Sequence, residues 1–336
     1  MNISLVLTTI NNINKNINTL SKQSKLKKWD LLIIGDKKTP KNFKLNYGKY
    51  LNIESQLRTG LKFASICPLN SYARKNIGYL QAIKNNSDVI IETDDDNIPK
   101  KDFFKKIKLT HEAPIIKNKG WINIYEVFTK KKMNIWPRGL PLDYANNKIL
   151  KLSNKKFKKE FFLQQGVCEG NPDVDAIYRL LNKNIDIKFK NNFKVNLSNS
   201  YSPFNSQNTI WFKKIFPLLY LPVTCTMRST DIVRSLVCLK ILKNDDKDIL
   251  FYGTTMYQKR NYHNLDHDFK DEIYIYLNSK KILDVLTNLK LKKRENNYLE
   301  NLMICYKSMI KKGFFDKLEI KYLNAWIYDV QKLFNN

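Results

Sequence analysis

Apolar runs and amphipathic stretches alternate through the first third of the chain. Residues 3–9 are apolar and β-branched and then break into the polar pair 11–12, which predicts a buried strand that ends in a loop. Residues 14–24 have a helical pattern, and residues 29–36 form a second short apolar run that closes in a Gly-Asp turn. Strands separated by helical stretches are typical of βαβ units, so the pattern predicts an α/β fold with a mostly parallel central sheet flanked by helices.

A further helix and strand lead directly into a run of acidic residues. Asn70 or Ser71 supplies an N-cap, and apolar residues then recur at helical spacing until Asn85. The buried strand 89–91 follows, and the chain leaves it through the acidic run 94–96. In open α/β sheets ligands bind at the carboxyl ends of the strands, so this run is the first candidate site.

The remainder of the chain divides into a turn-rich middle and a helical tail. Residues 115–225 contain short apolar segments punctuated by prolines, whereas from about residue 279 apolar positions recur at helical spacing to the end. We therefore predict an α/β domain over residues 1–275 and a C-terminal helical extension over residues 276–336.

Three adjacent carboxylates, Asp94, Asp95 and Asp96, repel one another at a strand end unless a cation lies between them. Hard cations such as Mn²⁺ or Mg²⁺ take oxygen ligands and commonly bridge one or two carboxylates to substrate phosphates. Such a cation also neutralises the charge of a leaving diphosphate. The alternative is a solvated acidic turn, because aspartate is mostly a surface residue. The buried strand before the run favours the metal site.

A second acidic pair, Asp173 and Asp175, lies two residues apart on a segment that we expect to be extended, so that both side chains face the same way. A carboxylate there suits the positioning of an acceptor hydroxyl or the role of general base. The alternative is an N-cap for the helix that begins near Ala176. Both interpretations stay open on sequence alone.

Asp231, with arginines on either side, is a further candidate. Arg228 and Arg234 match the geometry of phosphate oxygens, whereas Asp231 is also a natural cap for the apolar helix that follows. His263 is a candidate metal ligand, and its alternative role is that of a structural histidine.

The chain is strongly basic, with 59 Lys and Arg against 31 Asp and Glu, a net charge of +28. Only eight of the basic residues are arginine, and no recognition motif frames the lysines. We expect no specific nucleic-acid partner but a peripheral contact with anionic membrane surfaces, which lysine clusters attract. No apolar run reaches 18 residues, and Met1 leads straight into the first strand, so the expected location is cytoplasmic.

Several sequence blocks resemble one known family when taken together and in order. They are residues 68–83 with the acidic run at 94–97, 136–142 (Trp-Pro-Arg-Gly-Leu-Pro-Leu), 170–177 (Gly-Asn-Pro-Asp-Val-Asp-Ala-Ile), 203–209 (Pro-Phe-Asn-Ser-Gln-Asn-Thr), 228–234 (Arg-Ser-Thr-Asp-Ile-Val-Arg) and 261–265 (Asn-Tyr-His-Asn-Leu). These blocks resemble the STELLO glycosyltransferase-like family, over roughly residues 60–275.

The resemblance implies a GT-A nucleotide-diphosphosugar transferase fold, in which Asp94 and Asp96 flank a metal and the diphosphate as a DxD motif does, with His263 approaching the metal. The candidate donor and diphosphate residues are Thr8, Thr9, Arg74, Asn76, Asp94, Asp95, Asp96 and Arg228. The candidate catalytic residues near the acceptor are Asp173, Asp175, Asp231 and Arg138. The implied activity is metal-dependent transfer of a sugar from a nucleoside-diphosphate sugar, UDP first among the nucleotides, to a cell-surface glycan or a lipid-linked acceptor.

A more distant similarity leads to the reversibly glycosylated polypeptides, which act as UDP-arabinopyranose mutases. Their Arg-Gly-Tyr-Pro-Phe segment contains an arginine implicated in self-glycosylation, and Arg138 lies in the comparable place here, although the Tyr and Phe are both replaced by Leu. A nucleotide-sugar mutase or self-glycosylating protein is therefore an alternative prediction. A non-catalytic scaffold that binds a partner through its helical tail is another.

Overall fold

The computed structural model describes residues 1–129, 133–145 and 150–334. The strands are β1 (Ile3–Thr8), β2 (Asp30–Ile34), β3 (Lys49–Leu51), β4 (Val89–Thr93), β5 (Asn97–Pro99), β6 (Thr110–Ile116), β7 (Gly120–Trp121), β8 (Leu152–Glu160), β9 (Leu163–Gly170), β10 (Lys194–Leu197), β11 (Ser200–Tyr201), β12 (Asn208–Phe212) and β13 (Ile249–Gln258). The α-helices are α1 (Lys15–Lys27), α2 (Ile53–Leu57), α3 (Lys62–Ile66), α4 (Lys75–Lys84), α5 (Tyr125–Phe128), α6 (Ala176–Leu181), α7 (Thr230–Asn244), α8 (Leu265–Thr287), α9 (Tyr298–Lys311) and α10 (Glu319–Phe334). Short 3₁₀ helices cover Tyr72–Arg74, Lys101–Phe104, Leu142–Tyr144, Lys213–Leu219 and Glu295–Asn297.

The main sheet has the strand order β3-β2-β1-β4-β12-β9-β13-β10-β6-β8. Its first four strands are parallel, β12 runs antiparallel between β4 and β9, and β9 pairs in parallel with β13. The predicted α/β class, with a large central sheet and flanking helices, is confirmed. The antiparallel strands of the second half were not predicted, since an apolar run gives no information about strand direction.

The first half of the sheet is built as its sequence predicts. Asn14 caps α1 by accepting a hydrogen bond from the backbone N–H of Ile17 at 2.9 Å. Helix α4 packs on β1 and β2 at Gly78, where an added Cβ would lie 2.6 Å from Val6 Cγ1 and 2.9 Å from Ile34 Cγ1. Close helix–sheet packing therefore requires a glycine there, and it brings the start of α4 against the end of β4.

The C-terminal helices begin earlier than the apolar pattern indicated. Asn264 caps α8 by accepting from the N–H of His267, so this helix starts at residue 265 rather than near 279. It then runs through residue 275, where the predicted division of the chain falls. That division stays a prediction.

Helices α9 and α10 pack directly on the α/β core. Trp326 donates from Nε1 to the carbonyl of Pro217 at 3.1 Å, and Asp329 accepts from the N–H groups of Lys62 and Phe63 at the start of α3. The tail thus caps an element of the first half by supplying a carboxylate to its free N–H groups. Among the described helices, none is both long enough and apolar enough to cross a bilayer.

Candidate functional site

An open cleft of about 400 Å³ lies at the carboxyl ends of β1, β2 and β4. That volume falls in the range of small-molecule sites, and the position is where parallel α/β sheets bind ligands. One wall comes from the first half of the chain and the other from residues near α7 and the end of β13. The residues most relevant to function along it are Thr8, Thr9, Asp36, Tyr72, Arg74, Asp94, Asp95, Asp96, Arg138, Asp173, Arg228, Asp231, Arg260 and His263.

Asp94 is held by a buried lysine that the sequence did not single out. Lys75 Nζ lies 3.0 Å from Asp94 Oδ1 and also donates to the carbonyls of Thr93 and Ser206. The hydroxyl of Tyr72 donates to the same carboxylate oxygen at 3.0 Å. Burial raises the pKa of Asp94 to about 6, against the opposing effect of Lys75.

Asp95 faces the loop after β1 and is fully engaged there. Its Oδ2 accepts from Thr9 Oγ1 at 2.6 Å and from Asn11 Nδ2 at 2.9 Å, while Oδ1 accepts from Asn261 Nδ2 at 3.2 Å. Thr9, a predicted donor residue, is therefore brought into the site, where it orients this aspartate. Asn261 ties the loop after β13 to the same carboxylate.

Asp96 has one oxygen in use and one without a partner. Its Oδ2 accepts from Gln258 Nε2 at 3.1 Å, whereas Oδ1 is buried and has no hydrogen-bond partner among the described residues. Burial raises the pKa of Asp96, and the negative charge of Asp95 adds to the effect. A buried carboxylate oxygen left without a donor is costly unless a cation or a ligand supplies one.

His263 lines the cleft together with Asp96. Its Nδ1 is 3.3 Å from Asp268 Oδ1, so the imidazole is held from α8. Within the described ranges, no group of three or more His, Cys, Asp or Glu side chains is arranged to hold a metal ion.

Arg138 holds two of the predicted catalytic aspartates together. Its Nε and Nη2 donate to the two oxygens of Asp173, both at 2.8 Å, and its Nη1 and Nη2 donate to those of Asp231, both at 3.0 Å. Nη1 also donates to the carbonyl of Arg228. Burial alone would raise the pKa of Asp173, but Arg138, with help from Arg228, holds it at about 2. All three side chains of this clamp are buried, and all line the cleft.

Asp175 does not share the surroundings of Asp173. It is the N-cap of α6, accepting from the N–H of Tyr178 at 2.8 Å and from Trp136 Nε1 at 2.6 Å. The expectation that both aspartates face the same way is wrong, because Val174 N–H donates to the carbonyl of Pro172 and the segment turns instead of extending. The capping interpretation describes the geometry of Asp175.

Two predicted donor residues are committed to structural contacts. Arg74 donates to Gln56 Oε1 and to the carbonyls of Cys67 and Pro68, although part of the residue lines the cleft. Asn76 is buried and exchanges two hydrogen bonds with the backbone of Leu221. Its amide therefore fixes the segment before α7 and is not brought to the cleft wall.

Arg228 reaches the cleft, whereas Arg234 does not. Arg228 pairs with the buried Glu272 of α8 at 2.7 Å. Arg234 pairs with Glu92 in the core, at 2.7 Å. Arg228 precedes α7 and Arg234 lies within it, and the two guanidinium groups have different partners, so the predicted phosphate-binding pair is separated.

Helix α8 supplies site residues that sequence reasoning missed. Asp268 pairs with Arg260, which lines the cleft, and Glu272 pairs with Arg228. The spacing of the two acids, four residues apart, places both on one helix face. That spacing was the available signal, but the helix was predicted to begin after both residues.

Comparisons with known proteins agree with the family indicated by the motifs. A sequence model of the family described as STELLO glycosyltransferases matches residues 228–335. The chain is 27% identical over 334 residues to a protein of Arabidopsis thaliana described as "Probable glycosyltransferase STELLO2", and 26% identical over 337 residues to "Probable glycosyltransferase STELLO1" of the same plant. Each alignment covers 91% of this chain and 42% of the relative. The chain thus spans about two fifths of the length of the curated relatives it matches.

Among solved structures, the chain is similar to glucosyl-3-phosphoglycerate synthase from Mycobacterium tuberculosis, with 14% sequence identity and a TM-score of 0.41. That alignment covers 83% of this chain and 79% of the solved one. The resemblance to the STELLO glycosyltransferases, indicated by the sequence blocks, is confirmed by the family model and by the two plant relatives. Its predicted extent, roughly residues 60–275, is wrong at the C-terminal end, because the family model runs to residue 335 and includes the helical tail.

Proposed function

We propose that this STELLO-like chain is a metal-dependent glycosyltransferase that uses a nucleoside-diphosphate sugar, with UDP as the nucleotide. The observation that carries the proposal is the cleft itself, which is lined by both the acidic run 94–96 and the clamp of Arg138, Asp173 and Asp231. Transfer of a sugar from a diphosphate donor to a hydroxyl requires a bound cation and oriented carboxylates in one cleft.

The residues at the strand end fit a hard cation. The Oδ1 of Asp96 is buried and has no hydrogen-bond partner among the described residues. Burial raises the pKa of Asp94, and the negative charge of Asp96 adds to the effect, so a cation between the two carboxylates would be favourable. Asp94 and Asp96 would hold Mn²⁺ or Mg²⁺, with His263 beside Asp96. The metal, when bound, supplies positive charge that stabilises the leaving diphosphate.

The chain's own residues would orient the donor on either side of that cation. Thr8 ends β1, Asp36 lies two residues after β2, and both line the cleft with the acidic run, where a nucleoside would fit. Thr9 donates to Asp95 and fixes the orientation of this carboxylate at the cleft wall. Arg228, already anchored by Glu272, presents positive charge from the opposite wall, where diphosphate oxygens would accept hydrogen bonds.

The acceptor side is assigned to the clamp formed by Arg138, Asp173 and Asp231. Because its pKa is held at about 2, Asp173 stays ionised and is a weak proton acceptor. We therefore propose that Asp173 orients an acceptor hydroxyl, which would donate a hydrogen bond to this fixed carboxylate. The proposed acceptor is a glycan or a lipid-linked sugar.

The self-glycosylation alternative is not favoured by the position of Arg138. Its guanidinium is buried and donates to both aspartates and to the carbonyl of Arg228. A side chain with its N–H groups so engaged is suited to hold carboxylates and not to attack a sugar. The assay below also records sugar attached to the protein, which this alternative requires.

The test is release of nucleotide and transfer of sugar from a panel of UDP-sugars and GDP-sugars, with Mn²⁺, Mg²⁺ or a chelator present. We expect turnover of a UDP-sugar that needs the metal and is lost in the Asp94→Asn/Asp96→Asn variant. The matched control is Glu54→Gln/Asp102→Asn, which removes two exposed acids away from the cleft. Equal activity in the double variant and the control would contradict the proposal, and partner binding without turnover would favour the scaffold alternative.

A further inference from the structure

The loop between β11 and β12 contains residues 203–209, a sequence block to which the proposed function assigns no role. Asn205 Nδ2 donates to Asp173 Oδ2 at 3.0 Å. The next residue, the buried Ser206, donates to Asp231 Oδ2 from its N–H at 3.3 Å and from its hydroxyl at 3.4 Å. Two neighbouring loop residues thus contact both carboxylates of the clamp.

The same serine is joined to the acidic run through Tyr72. The hydroxyls of Tyr72 and Ser206 are hydrogen-bonded to each other, and Tyr72 donates to Asp94 Oδ1 at 3.0 Å. Lys75 Nζ supports this contact by donating to the Tyr72 hydroxyl at 3.0 Å and to the Ser206 carbonyl at 3.2 Å. One chain of hydrogen bonds therefore leads from the acidic run to the clamp, through Asp94, Tyr72, Ser206 and Asp231. We call the two hydroxyls of this chain the relay.

The relay has fewer protons than hydrogen-bonding contacts. It spans three contacts between oxygen atoms: one to Asp94, one between the two hydroxyls, and one to Asp231. Each hydroxyl carries one proton, and an ionised carboxylate carries none. In the part of the chain that the structure describes, neither hydroxyl donates to any other group. While both aspartates are ionised, one of the three contacts is therefore always without a proton.

Each carboxylate has other donors, so the relay can turn toward either end at little cost. Asp94 Oδ1 keeps Lys75 when the Tyr72 hydroxyl turns toward Ser206. Asp231 keeps the clamp arginine and the N–H of Ser206 when the Ser206 hydroxyl turns toward Tyr72. A hydroxyl proton changes its acceptor by rotation about the C–O bond, with no heavy atom displaced. The charges at the two ends thus decide whether the relay favours Asp94 or Asp231.

We propose that Tyr72 and Ser206 are positioning residues that couple the acidic run to the acceptor clamp. A carboxylate that also binds a cation is a weaker hydrogen-bond acceptor. With a cation at the acidic run, Tyr72 therefore donates to Ser206, and Ser206 donates to Asp231, which is thereby fixed for the acceptor. No O–H bond breaks, since each hydroxyl only rotates. The benefit to the acceptor rests on the proposed function, whereas the coupling between Asp94 and Asp231 does not.

The coupling is measured without metal or substrate, as a double-mutant cycle on the unfolding equilibrium constant of the full chain in denaturant. Either Asp94→Asn or Asp231→Asn alone lets both relay protons serve the remaining carboxylate. The double change leaves one relay proton without a charged acceptor. The double variant should therefore be destabilised beyond the product of the two single effects by about tenfold, which is the contribution of one hydrogen bond to a charged group.

Repulsion between the two carboxylates gives an excess of the same sign, so the cycle is repeated in Tyr72→Phe. This variant keeps the ring and removes one relay hydroxyl, and the excess should fall by about tenfold. Ser206→Ala interrupts the relay at its other hydroxyl and should give the same fall, so the test stands if one of the two variants folds poorly. Tyr47→Phe is the matched control, because its hydroxyl donates to the Trp29 carbonyl and does not line the cleft. It should leave the excess unchanged.

An excess of equal size in wild type, Tyr72→Phe and Ser206→Ala overturns the proposal, because charge repulsion alone would then join the two ends. A wild-type cycle with no excess overturns it as well. Calorimetry of UDP with Mn²⁺ gives a second readout, in which Asp231→Asn should weaken binding about tenfold more in wild type than in Tyr72→Phe. Equal weakening in the two backgrounds contradicts the relay. If wild type binds no nucleotide, the proposed function fails, and the cycle in denaturant still decides on the relay.

Discussion

The Arg138 clamp gives the sharpest prediction about stability, through the variant Arg138→Met. Methionine keeps much of the aliphatic stem but removes the guanidinium, leaving the carboxylates of Asp173 and Asp231 buried and facing each other. Removing one partner of a buried ion pair costs about 3–5 kcal/mol, because the remaining charge has no compensation. Here two charges are left, so we expect a loss toward the upper end of that range.

The corresponding change in melting temperature follows from chain length. An unfolding entropy of about 2.1 cal/mol/K per residue gives about 0.7 kcal/mol/K for a chain of 336 residues. A loss of about 5 kcal/mol therefore lowers Tm by about 7 °C, which scanning calorimetry resolves. Denaturant unfolding at constant temperature gives the free energy directly.

The charge explanation is separated from a packing explanation by neutralising the aspartates as well. Arg138→Met/Asp173→Asn/Asp231→Asn is expected to recover most of the lost stability, since no buried charge remains. Acidification should act in the same direction. In wild type, Arg138 holds the pKa of Asp173 at about 2, so its contribution is present above the ordinary pKa of 3.8 and is lost as the pH falls through 2. In Arg138→Met, burial raises that pKa, and the deficit relative to wild type should shrink between pH 8 and pH 5.

Two results would refute this reasoning. One is an Arg138→Met protein within about 1 kcal/mol of wild type, which would mean that the clamp is solvated and weak. The other is a triple variant no more stable than the single one, which would assign the loss to packing. Arg234→Met breaks a comparable buried pair with Glu92 away from the cleft. It is therefore the matched control that separates a loss of stability from a loss of nucleotide binding.

Three further predictions concern single residues. Glu319→Gln should lower the unfolding free energy by about 2–3 kcal/mol in denaturant titrations. The carboxylate of Glu319 accepts hydrogen bonds from Val223 and Thr224 in the loop before α7, and the amide would turn a donor toward these donors. Unchanged stability would contradict this. Gly139→Ala should lower the unfolding free energy by about 2–4 kcal/mol, because φ is +86° and the new Cβ would lie 2.3 Å from Ile232 Cγ2. Gly60→Ala, at φ +74° with open space around it, should lower it by only about 1–2 kcal/mol. Equal losses in the two variants would contradict the packing argument. Burial raises the pKa of Asp175 to about 6, so its stabilising effect is present below about pH 4 and is lost as the pH rises through 6. The difference in unfolding free energy between wild type and Asp175→Asn should therefore fall by up to about 3 kcal/mol across this window. A pH-independent difference would contradict the raised pKa.

The first half of the fold could be predicted because its elements carry local signals. Helix α1 lies where the pattern predicted one over residues 14–24, and Ser71, a predicted cap, accepts from the N–H of Ala73 at the turn that leads into α4. The acidic run was placed correctly at a strand end for the same reason, since a buried apolar strand leads into it. In the second half, strand direction depends on which strands become neighbours, and that information is not local.

Site contacts that join distant segments were the part that sequence could not supply. Lys75 lies on a helix where a lysine is expected to be solvated, yet it is buried beneath Asp94 because the start of α4 packs against the end of β4. Asp173 and Asp231 were singled out separately, but nothing local indicates that Arg138 joins them. Asn76 and Asp175 matched family blocks, and their side chains serve the backbone instead, which shows that a motif position does not by itself define a role in the cleft.

The central claim is that the cleft holds a nucleoside diphosphate through the acidic run 94–96 and a metal. Calorimetric titration of UDP, and then GDP, into the purified protein with and without Mn²⁺ tests it most directly. We predict binding of UDP that requires Mn²⁺ and that is lost in Asp94→Asn/Asp96→Asn while the Glu54→Gln/Asp102→Asn control retains it. Absence of binding by either nucleotide with metal present, or equal binding by the double variant, would contradict the account.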